Sequence, residues 1–307
     1  MNNVMVKTRA RSSQLAKSRY DLLRKRARAA ETDFAAVLMR YKLERTLARL
    51  ATSPYATKFV LKGGLLLAAY ATERPTRDID GLLRDLDVNE DTIRAVCQSL
   101  ATQAAVDGLI YDIATLKVTE IREDSTYTGL RATMVCYLYR DEQLVAFDFS
   151  AGDHVAPPPE TITIPGLLDD DVQLLGYPLT MSIAEKYVTA LQRGEANTRW
   201  RDFTDISLIS SLLSINALDL HTSLLTVAEN RSATLEPLTS RINIPRYAAA
   251  AQPKYAAWRR KHKLTHLAAE SFLDVLTAIT RHVDPIAATQ PPPRITWNPN
   301  NATWEPH

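Results

Sequence analysis

Asp78 and Asp80, in the triplet Asp78-Ile79-Asp80, and the pair Gly63-Gly64 thirteen residues upstream are the residues whose types and spacing suggest chemistry. On an extended strand alternate side chains point to one face, so the two aspartates project together while Ile79 turns into the core. Their Cα atoms then stand about 6.6 Å apart, from a rise of roughly 3.3 Å per residue. Carboxylates so placed repel, and burying them without a cation is costly. A hard divalent ion relieves that cost, and magnesium, which takes a few carboxylates together with phosphate oxygens, suits the pair. The triplet alone is a common surface pattern. The double glycine adds to it, because in a chain with only 9 glycines two in succession follow an apolar run and open a short helical one. A strand-to-helix turn needs one glycine more readily than two. Two leave room for a phosphate to approach the N–H groups at a helix start.

The elements that must hold these groups are legible as patterns. KFVLK, residues 58–62, reads as a short buried strand, LLLAAYA as a brief helix, and DIDGLLR as a second strand. A helix over about 89–105 can be capped by Asn89. Residues 109–121, 127–139 and 144–150 are rich in β-branched and aromatic residues and read as strands. The prolines of residues 154–166 exclude a central strand, leaving a connection with a candidate edge strand. Upstream, residues 12–30 and 33–52 read as helices, the second capped by Thr32 or Asp33 and ended at Ser53-Pro54. From about residue 179 apolar residues recur at helical spacing. The expected organisation is a basic helical segment over 1–53, a core over 54–175, a helical domain over 176–284 and a proline-rich tail over 285–307, extended and poorly packed.

Composition bounds the class. The chain has 307 residues, 46% hydrophobic and 23% charged, as globular proteins do. No apolar run reaches the roughly 18 residues of a bilayer span, and residues 1–13 lack the apolar core of a signal peptide. A cytoplasmic protein without membrane contact is expected, and Cys97 and Cys136, both among apolar neighbours, are expected to be reduced and buried. The formal net charge of +2 conceals an asymmetry: residues 1–50 carry 13 Lys and Arg against 4 Asp and Glu, leaving the remainder net negative. Such a basic stretch is either an electrostatic footprint for nucleic acid or a solvated helix face.

The combination Gly63-Gly64, thirteen residues, then Asp78-Ile79-Asp80 resembles the nucleotidyltransferase superfamily of DNA polymerase beta type. The resemblance implies an α/β (α+β) fold, with a small mixed β-sheet nucleotidyltransferase core, here flanked by an N-terminal helical arm and a helical C-terminal domain. It also implies a third carboxylate on a later strand. The apolar run LVAFDFS offers Asp148, with Asp153 as the alternative. More specifically the chain resembles the AbiEii/AbiGii (MenT-like) toxins, through Lys62-Gly63-Gly64, Arg74 to Asp80 (R-x-T-x-D-I-D), Ala184-Glu185-Lys186, and Arg201 to Asp205 (R-D-F-x-D). Arg201 departs from the lysine of many relatives and keeps the charge.

What the resemblance implies is a magnesium-dependent nucleotidyltransferase toxin of a toxin–antitoxin system, with manganese as a substitute ion. It moves a nucleoside monophosphate from an NTP to an acceptor, in some relatives the 3′ end of tRNA, blocking translation. Asp78, Asp80 and Asp148 are then the metal and catalytic carboxylates, with Asp148 either third ligand or base. Lys62, Gly63, Gly64 and Thr76 line the nucleotide, Lys186 neutralises the triphosphate, and Asp202 orients Lys186 or a base. The partners are an NTP, tRNA through the basic N-terminal helices, and a cognate antitoxin. Two other readings stand beside it: a protein hydroxyl as acceptor (an AMPylation-type mark), and a non-catalytic nucleotide- or antitoxin-binding module. A metal-dependent phosphohydrolase needs a His and Asp cluster that the 6 histidines do not form. Asp205 reads as structural, Arg77 as a surface residue, Tyr187 as core or half-buried, and His154 as a loop histidine. Trp200 as a base-stacking ring and residues 258–263 as an RNA contact rest on composition alone.

Overall fold

A computed structural model describes residues 3–70, 76–121, 129–150, 154–289 and 294–306. The chain divides into two compact units, residues 1–153 with 160–176, and residues 154–159 with 177–307.

In the first unit the sequence forms α1 (Asn3–Ser12), α2 (Gln14–Ala29), α3 (Phe34–Ala51), β1 (Phe59–Lys62), α4 (Gly63–Ala69) and β2 (Asp78–Leu83). Then follow α5 (Glu90–Thr102), β3 (Leu109–Ile121), β4 (Gly129–Leu138), β5 (Asp141–Ser150), β6 (Glu160–Ile164) and β7 (Val172–Gly176). The strands make one mixed sheet in the order β3-β4-β5-β2-β1-β7-β6. β2 runs parallel to β5 and β1 parallel to β7, while the remaining pairs are antiparallel. The proline-flanked segment supplies β6 at the sheet edge, where a missing N–H costs no ladder bond. β7, which the sequence pattern does not announce, lies between β1 and β6. Caps fall as the side chains dictate: Asp33 accepts from the Ala35 N–H and Asn89 from the Thr92 N–H.

Helix α3 explains where much of the N-terminal charge goes. It buries Leu38, Tyr41, Leu43, Leu47 and Leu50, and with them Lys42, Arg45 and Arg49. Arg49 makes a two-pronged ion pair with Asp107, at 2.8 and 2.7 Å, and also donates to the Leu100 and Leu109 carbonyls. Lys42 pairs with Asp141 and donates to the Cys136 carbonyl, and Arg45 pairs with Glu44. These cations are internal fasteners, which are strongly destabilising to break one at a time. The exposed basic residues are instead on α1 and α2, at Arg9, Arg11, Lys17, Arg24, Lys25, Arg26 and Arg28. Cys97 and Cys136 are buried free thiols, and burial pushes both up to about 12.

The second unit is mainly helical: α6 (Leu179–Arg193), α7 (Trp200–Leu212), α8 (Ala217–Asn230), α9 (Leu238–Arg241), α10 (Ile244–Lys261) and α11 (Phe272–Ala288). Phe272 is the hub of its core, meeting Trp200, Phe203, Tyr247 and Tyr255 at ring-centroid distances of 4.9 to 5.7 Å. Strands β8 (Ile215–Asn216), β9 (Ile295–Asn298) and β10 (Thr303–Pro306) form a small antiparallel sheet in the order β10-β9-β8. The tail is therefore packed rather than loose. Pro285 lies inside α11, and Trp297 is 1% exposed, stacked on His282 with centroids 4.5 Å apart. The aromatic surface that Trp297 and Trp304 bury outweighs the proline content of the segment. No helix among the described residues is long and apolar enough to cross a membrane.

Candidate active site

Strand β2 alternates as its sequence requires. Ile79 is fully buried between half-buried Asp78 and Asp80. Register then brings the third carboxylate in: Asp80 pairs with Asp148 on β5, and Asp78 lies two residues back on the same face. Oxygen atoms of Asp78, Asp80 and Asp148 all lie within 4.8 Å of one another. At an effective dielectric of about 20, each such pair of charges repels by about 3 kcal/mol. Three oxygen donors within 4.8 Å of one another fit a hard divalent ion.

Gly63 completes the cradle. It takes a left-handed φ of +69°, which a side chain disfavours, and a Cβ there would lie 1.9 Å from Oδ2 of Asp80. The Asp80 carboxylate thus occupies the space that the first glycine leaves empty. Gly64 is buried in the first turn of α4. Lys62, the last residue of β1, pairs directly across from Asp80, so both side chains share a face. The Thr76 hydroxyl donates to Oδ1 of Asp78 at 3.0 Å and so orients that carboxylate. Arg77 is exposed. Arg74 and Asp153 lie outside the described residues.

The structure adds a residue that sequence reasoning missed. Arg131 on β4 pairs in register with Asp148 and grips it with Nε–Oδ1 and Nη2–Oδ2 distances of 2.6 Å each. Its guanidinium is also 3.6 Å from Asp78. The Asp148 hydrogen bonds, with Asp78 and Asp80 adding attraction, push Arg131 above its ordinary value. One row across four strands therefore reads Lys62, Asp80, Asp148, Arg131, two anions flanked by two cations. The available signal was weak: a lone arginine in the apolar run Leu130 to Leu138.

In the second unit Lys186 of α6 is 15% exposed and lies 3.5 Å from Asp202 and 3.3 Å from fully buried Asp205, both on α7. The motifs A-E-K and R-D-F-x-D thus meet as one ion-paired cluster, in which Asp205 takes part as well as Asp202. Tyr187 is structural, donating to Asp284 at 2.7 Å and accepting from the Leu238 N–H. Trp200 is 8% exposed and packs edge-on against Phe272, which leaves no face for a base. His154 is exposed. Arg259 in the 258–263 cluster turns back to cap the carbonyls of Ala268 and Thr265.

A family model, described as the nucleotidyl transferase AbiEii toxin of type IV toxin–antitoxin systems, matches residues 45–278. No curated protein matches the chain. Among solved structures, JHP933 from Helicobacter pylori aligns at 14% identity and a TM-score of 0.46, covering 82% of this chain and 90% of its own. A second H. pylori protein, of proposed nucleotidyltransferase activity, aligns at 16% identity and a TM-score of 0.45, covering 82% and 93%.

Proposed function

The chain belongs to the AbiEii family of nucleotidyl transferase toxins, and from that premise we propose that it transfers a nucleoside monophosphate from an NTP to the 3′ end of tRNA, using magnesium held by Asp78, Asp80 and Asp148. As a nucleotidyltransferase toxin it has a nucleotide substrate and a cognate antitoxin. The observation that carries the metal reading is the convergence of the three carboxylates within 4.8 Å. Asp78, Asp80 and Asp148 would hold the ion, which when bound would supply positive charge to activate the attacking hydroxyl and to offset charge on the leaving pyrophosphate.

The chain's own groups take the remaining tasks. The acceptor oxygen forms a bond to the α-phosphorus, and the bond to the pyrophosphate oxygen breaks, with the electron pair leaving on pyrophosphate. Asp148 acts as third ligand or as the base that takes the acceptor proton. Gly63 gives its side-chain space to the Asp80 carboxylate, and Gly64, at the start of α4, offers a backbone N–H without a side chain to the phosphate oxygens. Lys62, on the same face as Asp80, contributes positive charge toward the same phosphates. Thr76 keeps Asp78 oriented, which accounts for its place in the motif better than a direct phosphate contact does. Lys186 serves the triphosphate as a point charge held by Asp202 and Asp205. Its support is the A-E-K motif and the ion-pair clamp.

The tRNA reading is supported by the exposed cations of α1 and α2, since phosphate contacts supply sequence-independent affinity. The test is transfer from each α-labelled NTP, with total tRNA or with cell protein as acceptor, in magnesium or in EDTA. Label on tRNA that requires magnesium is expected. Label on protein alone would move the acceptor to a protein hydroxyl, and no label with any NTP would leave a nucleotide-binding module.

A further inference from the structure

Arg131 is the one described cation with a two-pronged contact to the carboxylate cluster, and the reaction as derived gives it no task. It extends from β4 with its side chain 44% exposed, forks onto both oxygens of Asp148 and reaches Asp78 at 3.6 Å. A planar guanidinium meets a carboxylate through both oxygens, so while the fork is made neither Asp148 oxygen faces the cluster with its full charge unshared. A divalent ion needs one of those same oxygens. We propose that Arg131 is a positioning residue that holds the cation's place on Asp148 and must yield it when the divalent ion binds. The inference rests on the metal reading of Asp78, Asp80 and Asp148.

Two consequences follow. In the ion-free protein the guanidinium offsets repulsion among three carboxylates and keeps the site assembled on its strands. In the loaded protein the same charge, still a strand's width away, weakens the ion's hold. Arg131 therefore trades affinity for preassembly. A purely structural ion pair at this place would stabilise β4 against β5 and leave ion affinity alone.

The experiment is a titration of the full chain with Mn2+, following free Mn2+ by electron paramagnetic resonance, without nucleotide and without turnover. Arg131→Met keeps the length of the stem and removes the charge. It is expected to bind Mn2+ about tenfold more tightly than wild type, the scale set by one partly screened charge at this distance. Arg131→Lys keeps the charge but loses the fork. It should tighten binding by a smaller factor of about threefold, and it serves if the Met variant does not fold. In EDTA both variants should melt lower than wild type, and saturating Mn2+ should close that gap. Arg94→Ala, which removes an exposed arginine paired with Glu90 on α5, controls for a general loss of positive charge and should leave Mn2+ affinity unchanged. Unchanged or weaker Mn2+ binding in both Arg131 variants overturns the inference while the metal reading stands. If wild type itself takes up no Mn2+ and Asp148→Asn changes nothing, the metal reading falls and this inference with it.

Discussion

Gly63→Ala separates two costs that the site combines. The first is backbone strain, because φ at Gly63 is +69°, and an alanine held in the left-handed region costs about 1–2 kcal/mol. The second is steric, because the new Cβ would lie 1.9 Å from Oδ2 of Asp80, 2.5 Å from its Cγ and 2.7 Å from its Cβ. Contacts that short, one of them to the Asp80 Cβ, cannot be relieved by side-chain rotation alone, so Asp80 must shift together with its strand and its carboxylate leaves the cluster. Strain alone should lower the melting temperature by roughly 2–8 °C for a unit of this size. A carboxylate displaced by about 1 Å or more should cost about 10²-fold in turnover. Gly108→Ala is the comparison, with a similar φ of +75° and a Cβ that would meet Ala16 and Leu138 rather than a carboxylate. It should lose at least as much stability and keep turnover per folded molecule. The assay is initial-rate transfer at saturating NTP, beside thermal melts of both variants. If Gly63→Ala loses only stability and transfers at the wild-type rate, the position of Asp80 is not what the glycine protects.

Other perturbations follow from the same geometry. Lys186→Met removes the cation 3.3 Å from fully buried Asp205 and should destabilise the second unit by about 3 kcal/mol in urea melts, with Asp205→Asn added to the variant restoring part of the loss. A loss below about 1 kcal/mol would show that the pair is not a structural clamp. His282 is buried with no hydrogen-bond partner on either ring nitrogen, and burial lowers it to about 3, so the unfolded chain binds its proton first as pH falls below about 6.5. Stability is therefore full above 6.5 and declines as pH drops towards 3, by about 2 kcal/mol between pH 6.5 and 5. His282→Phe should flatten that slope in denaturant melts. Replacing Arg24, Lys25 and Arg28 together with alanine should leave the melting temperature alone, because all three are exposed. It should raise the KM for tRNA and reduce the log–log salt slope of binding by about 2 to 3.

The parts of the site that were legible in the sequence are those whose constraints are local. Gly63-Gly64 and Asp78-Ile79-Asp80 report a turn and a strand period within a few residues, and Asp148 stands out as an acid in an apolar strand. Arg131 was not legible, because its partner is chosen by the β4–β5 register and nothing in its own neighbourhood marks it. The same limit hid β7, whose place between β1 and β6 is a matter of sheet order. Charge counting also misread α3. Composition sees Lys42, Arg45 and Arg49 as part of a basic arm, whereas their partners Asp141, Glu44 and Asp107 bury them. For the tail, proline content suggested looseness, and Trp297 and Trp304, the residues that anchor it, were the signal to weigh instead.

The measurement that bears most directly on the central claim is magnesium-dependent label transfer by Asp80→Asn. The variant is close to isosteric and removes one of three charges that converge within 4.8 Å, without touching the Arg131–Asp148 fork. The account predicts a loss of transfer of about 10³-fold or more, in a protein whose melting temperature stays within about 4 °C of wild type. Transfer at the wild-type rate by that folded variant would contradict it.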